Sequence, residues 1–175
     1  GGHSRRKSMR FTFSQEKSIL ATYKAIYNTE LPTTTNSYLY IDNNQKKSIY
    51  FTKKPDKTDE DDNIDVTVRL SSGEKNYSYF DYENDTLVTK DDIFRESKII
   101  KEKIPDFNWK LLENNKSIGN ITLYKATWYY RGRNYIAWYS SDIPIKAGPL
   151  KFQGLLGLIY EIHDETKQYN WFLQQ

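Results

Sequence analysis

Apolar and polar positions alternate with a period of two along most of this chain. That rhythm marks strands with one face buried. Arg10 to Ser14 gives a short strand. Ile19 to Tyr27 is mixed: Ala21, Lys24 and Ala25 suit a helix, while Tyr23, Ile26 and Tyr27 suit a strand, and we read it as a strand. Tyr38–Asp42 and Lys47–Phe51 flank Asn43-Asn44 and predict a hairpin, because Asn tolerates positive φ. Asp65–Leu70 and Tyr77–Tyr82 flank Ser71-Ser72-Gly73-Glu74 and predict a second. Short strands follow at Thr86–Thr89, Ile93–Phe94 and Lys98–Ile104. Pro105 then breaks the pattern for want of an N–H, before Phe107–Leu112. The clearest hairpin runs from Ile121 to Ser140 and folds at Arg131-Gly132. A last one joins Leu158–His163 to Gln168–Leu173. No long amphipathic helical period occurs. The expected fold class is therefore mainly all-β: a many-stranded antiparallel meander, curled strongly or into a half-barrel, with little helix. A flat sheet this wide would leave aromatic faces wet. Residues 1–8 read as a tag remnant or tail, and residues 9–175 as one β domain, a usual size for a single core.

Composition shifts the expected core toward aromatics. Aliphatics are modest, but 15 Tyr, 8 Phe and 4 Trp supply large apolar area. Tyr hydroxyls must then sit at the margins of the core or find partners. The net charge of +3 is too even to imply nucleic acid, which requires a basic face. No run approaches the roughly eighteen apolar residues that a transmembrane helix needs.

Several chemistries lose their residues. Cysteine is absent, so disulfides, thiolate metal sites and cysteine nucleophiles are excluded. His163 is the one histidine outside the N-terminal tail, and it reads as a solvent-facing strand residue. No cofactor and no metal site is implied. The acidic stretch Asp59–Asp65 has oxygen ligands at alternating positions. However, Ile64 stands where a calcium loop needs Gly and Leu70 where it needs a bidentate Glu, so a solvated loop is expected. A hydrolase would need converging carboxylates, and Asp142, Glu161 and Asp164 are the candidates, at an unremarkable spacing. No catalytic residue is assigned.

Two segments carry more information. Pairing Tyr130 with Arg133 places Tyr124, Ala126, Trp128 and Tyr130 on one face with Arg133, Tyr135, Ala137 and Tyr139. Thr127, Tyr129, Asn134, Ile136 and Trp138 take the other. Both faces are aromatic, so both are expected to be covered. Two-sided core packing is the plain reading. An apolar ligand or a partner against Trp128, Tyr130, Tyr135 or Trp138 is the functional one. Only one of the two indoles should then line the site, beside an apolar cavity on the order of 300 Å³ or more. The second segment is Asp142-Ile143-Pro144-Ile145, then Gly148 to Ile159, an apolar run punctuated by glycine and proline. Its spacing fits neither a P-loop nor a dinucleotide fingerprint. It predicts a buried crossover that lays Leu155, Leu156, Leu158 and Ile159 across the core.

This segment resembles the GLPGLI family, exported proteins found mainly in the Bacteroidetes. The name motif reads here Gly154-Leu155-Leu156-Gly157-Leu158-Ile159, with Leu156 in place of proline. Gly148-Pro149 and Lys151-Phe152 flank it, preceded by Ala137-Trp138-Tyr139 and Asp142-Ile143-Pro144. Upstream, Trp109-Lys110-Leu111, Ile118-Gly119, Lys125-Ala126-Thr127 and Arg131-Gly132-Arg133 sit in family order. Leu123 stands where many members have cysteine, so a thiol-based role is unavailable. Losing the proline is expected to loosen the crossover turn. The resemblance implies an exported protein of the periplasm or outer membrane, similar in fold to lipoprotein carriers. It carries no established activity. The implied function is non-enzymatic binding of an apolar small molecule or an envelope protein partner. A purely structural or interaction module is the alternative. The family motif is read as structural.

Overall fold

The computed structural model describes residues 10–13, 18–42, 46–52, 66–69, 76–93 and 96–174. Thirteen strands and no helix occur among them. In chain order they are β1 (Arg10–Phe13), β2 (Ser18–Tyr27), β3 (Thr33–Asp42), β4 (Lys47–Phe51), β5 (Val66–Arg69), β6 (Tyr77–Asp81) and β7 (Thr86–Ile93). Then come β8 (Glu96–Lys103), β9 (Lys110–Ile118), β10 (Ile121–Tyr130), β11 (Arg133–Ser140), β12 (Leu158–Asp164) and β13 (Tyr169–Leu173).

Eleven strands form one open antiparallel sheet in the order β8-β7-β6-β4-β3-β2-β13-β12-β11-β10-β9. The chain starts at the middle with β2, steps outward to the edge at β8, crosses to the far edge at β9 and steps back to β13. The last strand then pairs with β2, Trp171 opposite Ala25. Strand twist accumulates across so many strands, and the sheet curls.

The segment from Ile19 to Tyr27 is a strand in perfect alternation with β3, Ile19 opposite Ile41 and Tyr27 opposite Thr33. The Tyr38–Asp42 hairpin pairs as expected, Tyr38 with Phe51. Its Asn43-Asn44 turn lies outside the described residues, as do residues 1–9 and the acidic stretch Asp59–Asp65. The second hairpin is different. Val66–Arg69 pairs with Arg10–Phe13 in a separate two-stranded sheet, while Tyr77–Asp81 lies between β4 and β7. Alternation identified both strands, but it carries no information on which neighbour a strand selects. Phe107–Leu112 is also corrected. The strand starts only at Lys110 and reaches Ile118, and Phe107 and Trp109 belong to the segment that crosses between the sheet edges.

The main core joins the inner face of β2, β3 and β10–β13 to the chain between β11 and β12. Tyr23, Leu39, Ile41, Ile159, Ile162 and Trp171 are fully or almost fully buried there. A smaller cluster of Ile49, Phe51, Tyr77 and Val88 lies on the opposite face of β4 and its neighbours. The alternation of Tyr50 with Ile49 and Phe51 separates the two. Buried hydroxyls find partners. Tyr23 donates to the Ile159 carbonyl at 2.6 Å, tying β2 to β12. Burial pushes the Tyr23 hydroxyl well above its ordinary pKa, so it stays a neutral donor. Trp171 Nε1 donates to the Tyr50 hydroxyl at 3.2 Å.

Candidate functional site

The β10–β11 hairpin has the register that its sequence predicts: Tyr124 opposite Tyr139, Ala126 opposite Ala137, Trp128 opposite Tyr135 and Tyr130 opposite Arg133. Arg131 and Gly132 have φ of 49° and 79°. Positive φ at both central residues is the primed turn whose twist matches the strands it joins. Ala126 and Ala137 are both fully buried, and their small side chains let the next layer approach the sheet.

That layer is the crossover, residues 141–157. It folds on itself through backbone hydrogen bonds from Gly154 N to Lys146 O (3.3 Å) and Phe152 N to Pro149 O (3.1 Å). Two more anchor it to the start of β12, from Leu158 N to Ile143 O (3.0 Å) and Ile159 N to Ala147 O (3.3 Å). Held by these bonds, it lays Ile145, Ala147, Phe152 and Leu155 into the core. Leu158 and Ile159 are buried in β12, but Leu156 is 65% exposed, so the expectation that it crosses the core is corrected. A core turn that buries Leu155 and Leu158 must face outward between them. Gly157 has no room for a side chain: a Cβ there would lie 1.9 Å from the Ser140 carbonyl oxygen. Gly154 has φ of 91° and backs onto Phe107, 3.4 Å from where a Cβ would sit. Gly148 and Pro149 are buried, and Lys151 is half-buried.

Trp128 sits at the centre of an aromatic cluster. Its ring stacks on Tyr130 at 4.5 Å and meets Phe107 edge-on at 5.0 Å and Trp109 at 5.5 Å. Phe152 packs against Tyr135 at 4.9 Å and Trp171 at 5.8 Å. Phe107, Trp128, Tyr130, Tyr135 and Phe152 line a cavity of about 220 Å³, which Arg131, Arg133 and Lys151 help to close. Three of the four residues named from the sequence thus converge on one cavity. Trp138 is not among them, since alternation turns it to the other face. There Lys116 Nζ lies 4.4 Å over its ring and bridges to Glu161 at 2.7 Å, and Lys125 Nζ lies 5.9 Å away.

A second cavity that Phe107 also lines, of about 400 Å³, exceeds the size expected of a ligand site. Tyr82, Asp85, Lys146 and Gln153 supply its polar wall. Gln153 is 2% exposed. Its backbone carbonyl accepts from Trp109 Nε1 at 2.7 Å, and its Oε1 accepts from the Tyr82 hydroxyl, which also contacts Ser48 Oγ at 3.1 Å. Among the described residues the Gln153 Nε2 has no partner. As site residues Phe107, Tyr82 and Gln153 are not marked in the sequence, and Trp109 is marked only through the Trp109-Lys110-Leu111 step of the resembled family. The aromatic pair flanking Asn108 just after Pro105 is the further signal.

The carboxylate candidates do not meet. Glu161 is opposite Trp138 and Asp164 opposite Tyr135, which alternation places on opposite faces, and Asp142 is exposed in the turn after β11. Asp164 is 2% exposed. Burial alone would raise its pKa, but the Thr166 hydroxyl, the Tyr169 and Gln168 backbone N–H groups and the Arg133 guanidinium outweigh that, and it is held below the ordinary value. His163 is half-buried, its Nδ1 2.7 Å from the Asp164 carbonyl oxygen. Among the described residues, no helix is long and apolar enough to cross a membrane.

A family model described as "Protein of unknown function (Porph_ging)" matches residues 129–161, the stretch from the end of β10 through the crossover into β12. No curated protein matches. Among solved structures, PNGF-II is similar in two crystal forms. In the C2 form the TM-score is 0.60 at 14% identity, over 91% of this chain and 27% of that one. In the P21 form the values are 0.60 and 14%, over 91% and 28%. At this identity the likeness is one of fold. This chain spans little more than a quarter of the PNGF-II length.

Proposed function

We propose that this is a non-enzymatic, exported envelope protein of the GLPGLI type that holds an apolar ligand in the Trp128 cavity. The observation that carries the reading is the convergence of five aromatic rings on that cavity, drawn from three separate parts of the chain: Phe107, the β10–β11 hairpin and the crossover. Rigid aromatic walls give apolar contact at little entropic cost, and their polar tips orient a partner's polar end. The match at residues 129–161 supports the family reading, since it covers the motif, β11 and the last two residues of β10. It also places the crossover, and hence the cavity wall at Phe152, within the matched stretch. Export to the periplasm or outer membrane follows from that family reading.

An interaction module is the second reading. It is favoured by Leu111 on the edge strand β9 and Tyr129 on its neighbour β10, 58% and 66% exposed. Titration of fatty acids, alcohols and hydrophobic peptides against tryptophan emission separates the two. A saturable change that is reduced in Trp128→Phe and kept in Trp138→Phe supports the cavity. No response to any ligand removes it and leaves the module.

A further inference from the structure

An apolar ligand alone gives no account of the cations around the Trp128 cavity. Three residues there are basic and none is acidic. Arg133 is committed elsewhere: its guanidinium contacts Asp164 at 3.4 Å and Gln168 at 3.3 Å, and lies 4.8 Å over the Tyr169 ring. Arg131 and Lys151 have no carboxylate partner among the described residues. Arg131 lies 5.0 Å from the Tyr130 ring centre, an arrangement that steadies the guanidinium and leaves its donors free. Both cations are delivered by turns in the left-handed region. Arg131 itself has φ of 49°, and Leu150, just before Lys151, has φ of 56°.

We infer that the cavity takes a small apolar group that ends in a carboxylate, with the apolar part against Trp128, Tyr135 and Phe152 and the carboxylate on Arg131 and Lys151. This rests on the apolar-ligand reading above and adds the ligand's charge and size. The fork of an arginine matches a carboxylate in two parallel hydrogen bonds. A cavity of about 150 Å³ admits a benzene ring, and drug-sized ligands need about 300 Å³ or more. The 220 Å³ here therefore fits one ring or a short acyl chain.

The experiment compares octanoate, octanol and octylammonium by tryptophan emission, with wild type and with the double variant Arg131→Gln/Lys151→Gln. Octanoate should bind about tenfold more tightly than octanol, the ratio that one charge-assisted contact supplies. Octylammonium should be weakest. The double variant should lose the octanoate advantage and keep its affinity for octanol. Lys24→Gln/Lys98→Gln, the same charge change at exposed sites elsewhere, should leave the ratio intact. Equal binding of octanoate and octanol by wild type overturns the carboxylate assignment and leaves the apolar cavity standing. An octanoate advantage that survives in the double variant, or falls equally in the control, overturns the role of these two residues. Failure of all three ligands to bind overturns the cavity itself.

Discussion

Trp128 and Trp138 are held by one hairpin, in paired strands, and meet different environments. Trp128 is 8% exposed and surrounded by rings from the crossover and from the segment that links the sheet edges. Trp138 is half-buried under two lysines, one of them bridged to Glu161. The sequence puts aromatic residues on both faces, five on that of Trp128 (Tyr124, Trp128, Tyr130, Tyr135 and Tyr139) and two on that of Trp138 (Tyr129 and Trp138). What separates them is the chain laid over one face and the long lysine side chains laid over the other. Covering an aromatic face with backbone needs internal hydrogen bonds and glycine at the contacts, and the crossover has both. Covering one with lysine stems needs neither.

The largest expected effect tests this contrast directly. Trp128→Ala should destabilise by roughly 3–5 kcal/mol, the range for removing a buried large aromatic, and Trp138→Ala by about 1 kcal/mol, the worth of a partly exposed cation–π contact. Denaturant unfolding of the two variants checks the difference. Equal losses would mean that the lysine-covered face is packed as a second core.

Gly157→Ala comes next. The new methyl would meet backbone at 1.9 Å, and backbone of a paired strand cannot step aside as a flexible side chain can. A loss of about 3 kcal/mol is expected, at the upper end for overpacking. Gly154→Ala meets only ordinary contact with Phe107 and should cost about 1 kcal/mol through its positive φ. Reversal of that order in thermal midpoints would show that the crossover is held differently from the way its contacts indicate.

The strand pattern and the hairpin register were legible in the sequence because strand alternation is local. Tyr130 against Arg133 fixes every pair out to Tyr124 and Tyr139 once the turn is located. The partner of each strand was not legible. Val66–Arg69 and Tyr77–Asp81 alternate as two arms of a hairpin would, yet pair elsewhere, and nothing local in β2 or β13 marks their pairing across almost the whole chain. The edge strand β9 was only partly visible, because its polar Glu113, Asn114 and Asn115 have solvent on both sides and break the rhythm. The cavity was legible from its hairpin side, through Trp128, Tyr130 and Tyr135. Its other wall depends on how the crossover and the Phe107 segment fold back, a long-range result that residue types do not encode. Gln153 was hidden for the same reason.

Acid should probe the inner end of the hairpin. Asp164 is buried opposite Tyr135, and its folded pKa is held below the unfolded value of about 3.9. A depressed carboxyl adds stability that is fully present above the unfolded pKa and is lost as pH falls through the folded one. The gap in thermal midpoint between wild type and Asp164→Asn should therefore be wider at pH 5 than at pH 2. Asp81, held low chiefly by the Asn84 side chain, leaves part of the acid sensitivity in the variant. On the other face, breaking Lys116–Glu161 should cost well under 1 kcal/mol and less in high salt, because both side chains reach water. A pH-independent gap for Asp164→Asn would mean that its hydrogen bonds act as well on a neutral amide.

The smallest expected effect concerns Leu156, where the resembled motif carries proline. The sequence suggests that losing the proline loosens the crossover turn, and the structure gives that idea a size. Leu156 is largely exposed and does not have positive φ, and among the described residues its backbone N–H makes no turn or loop hydrogen bond. Proline there removes no donor that the fold uses. Its main action would be to restrict the unfolded chain, a gain of roughly 0.4–1 kcal/mol where the native φ suits the ring. Leu156→Pro should thus raise the thermal midpoint slightly and leave ligand binding at the Trp128 cavity unchanged, since Leu156 does not line it. A stabilised protein with tighter binding would show that the turn and the cavity wall at Phe152 move together. A destabilised one would show that the φ of Leu156 lies outside the range that proline permits.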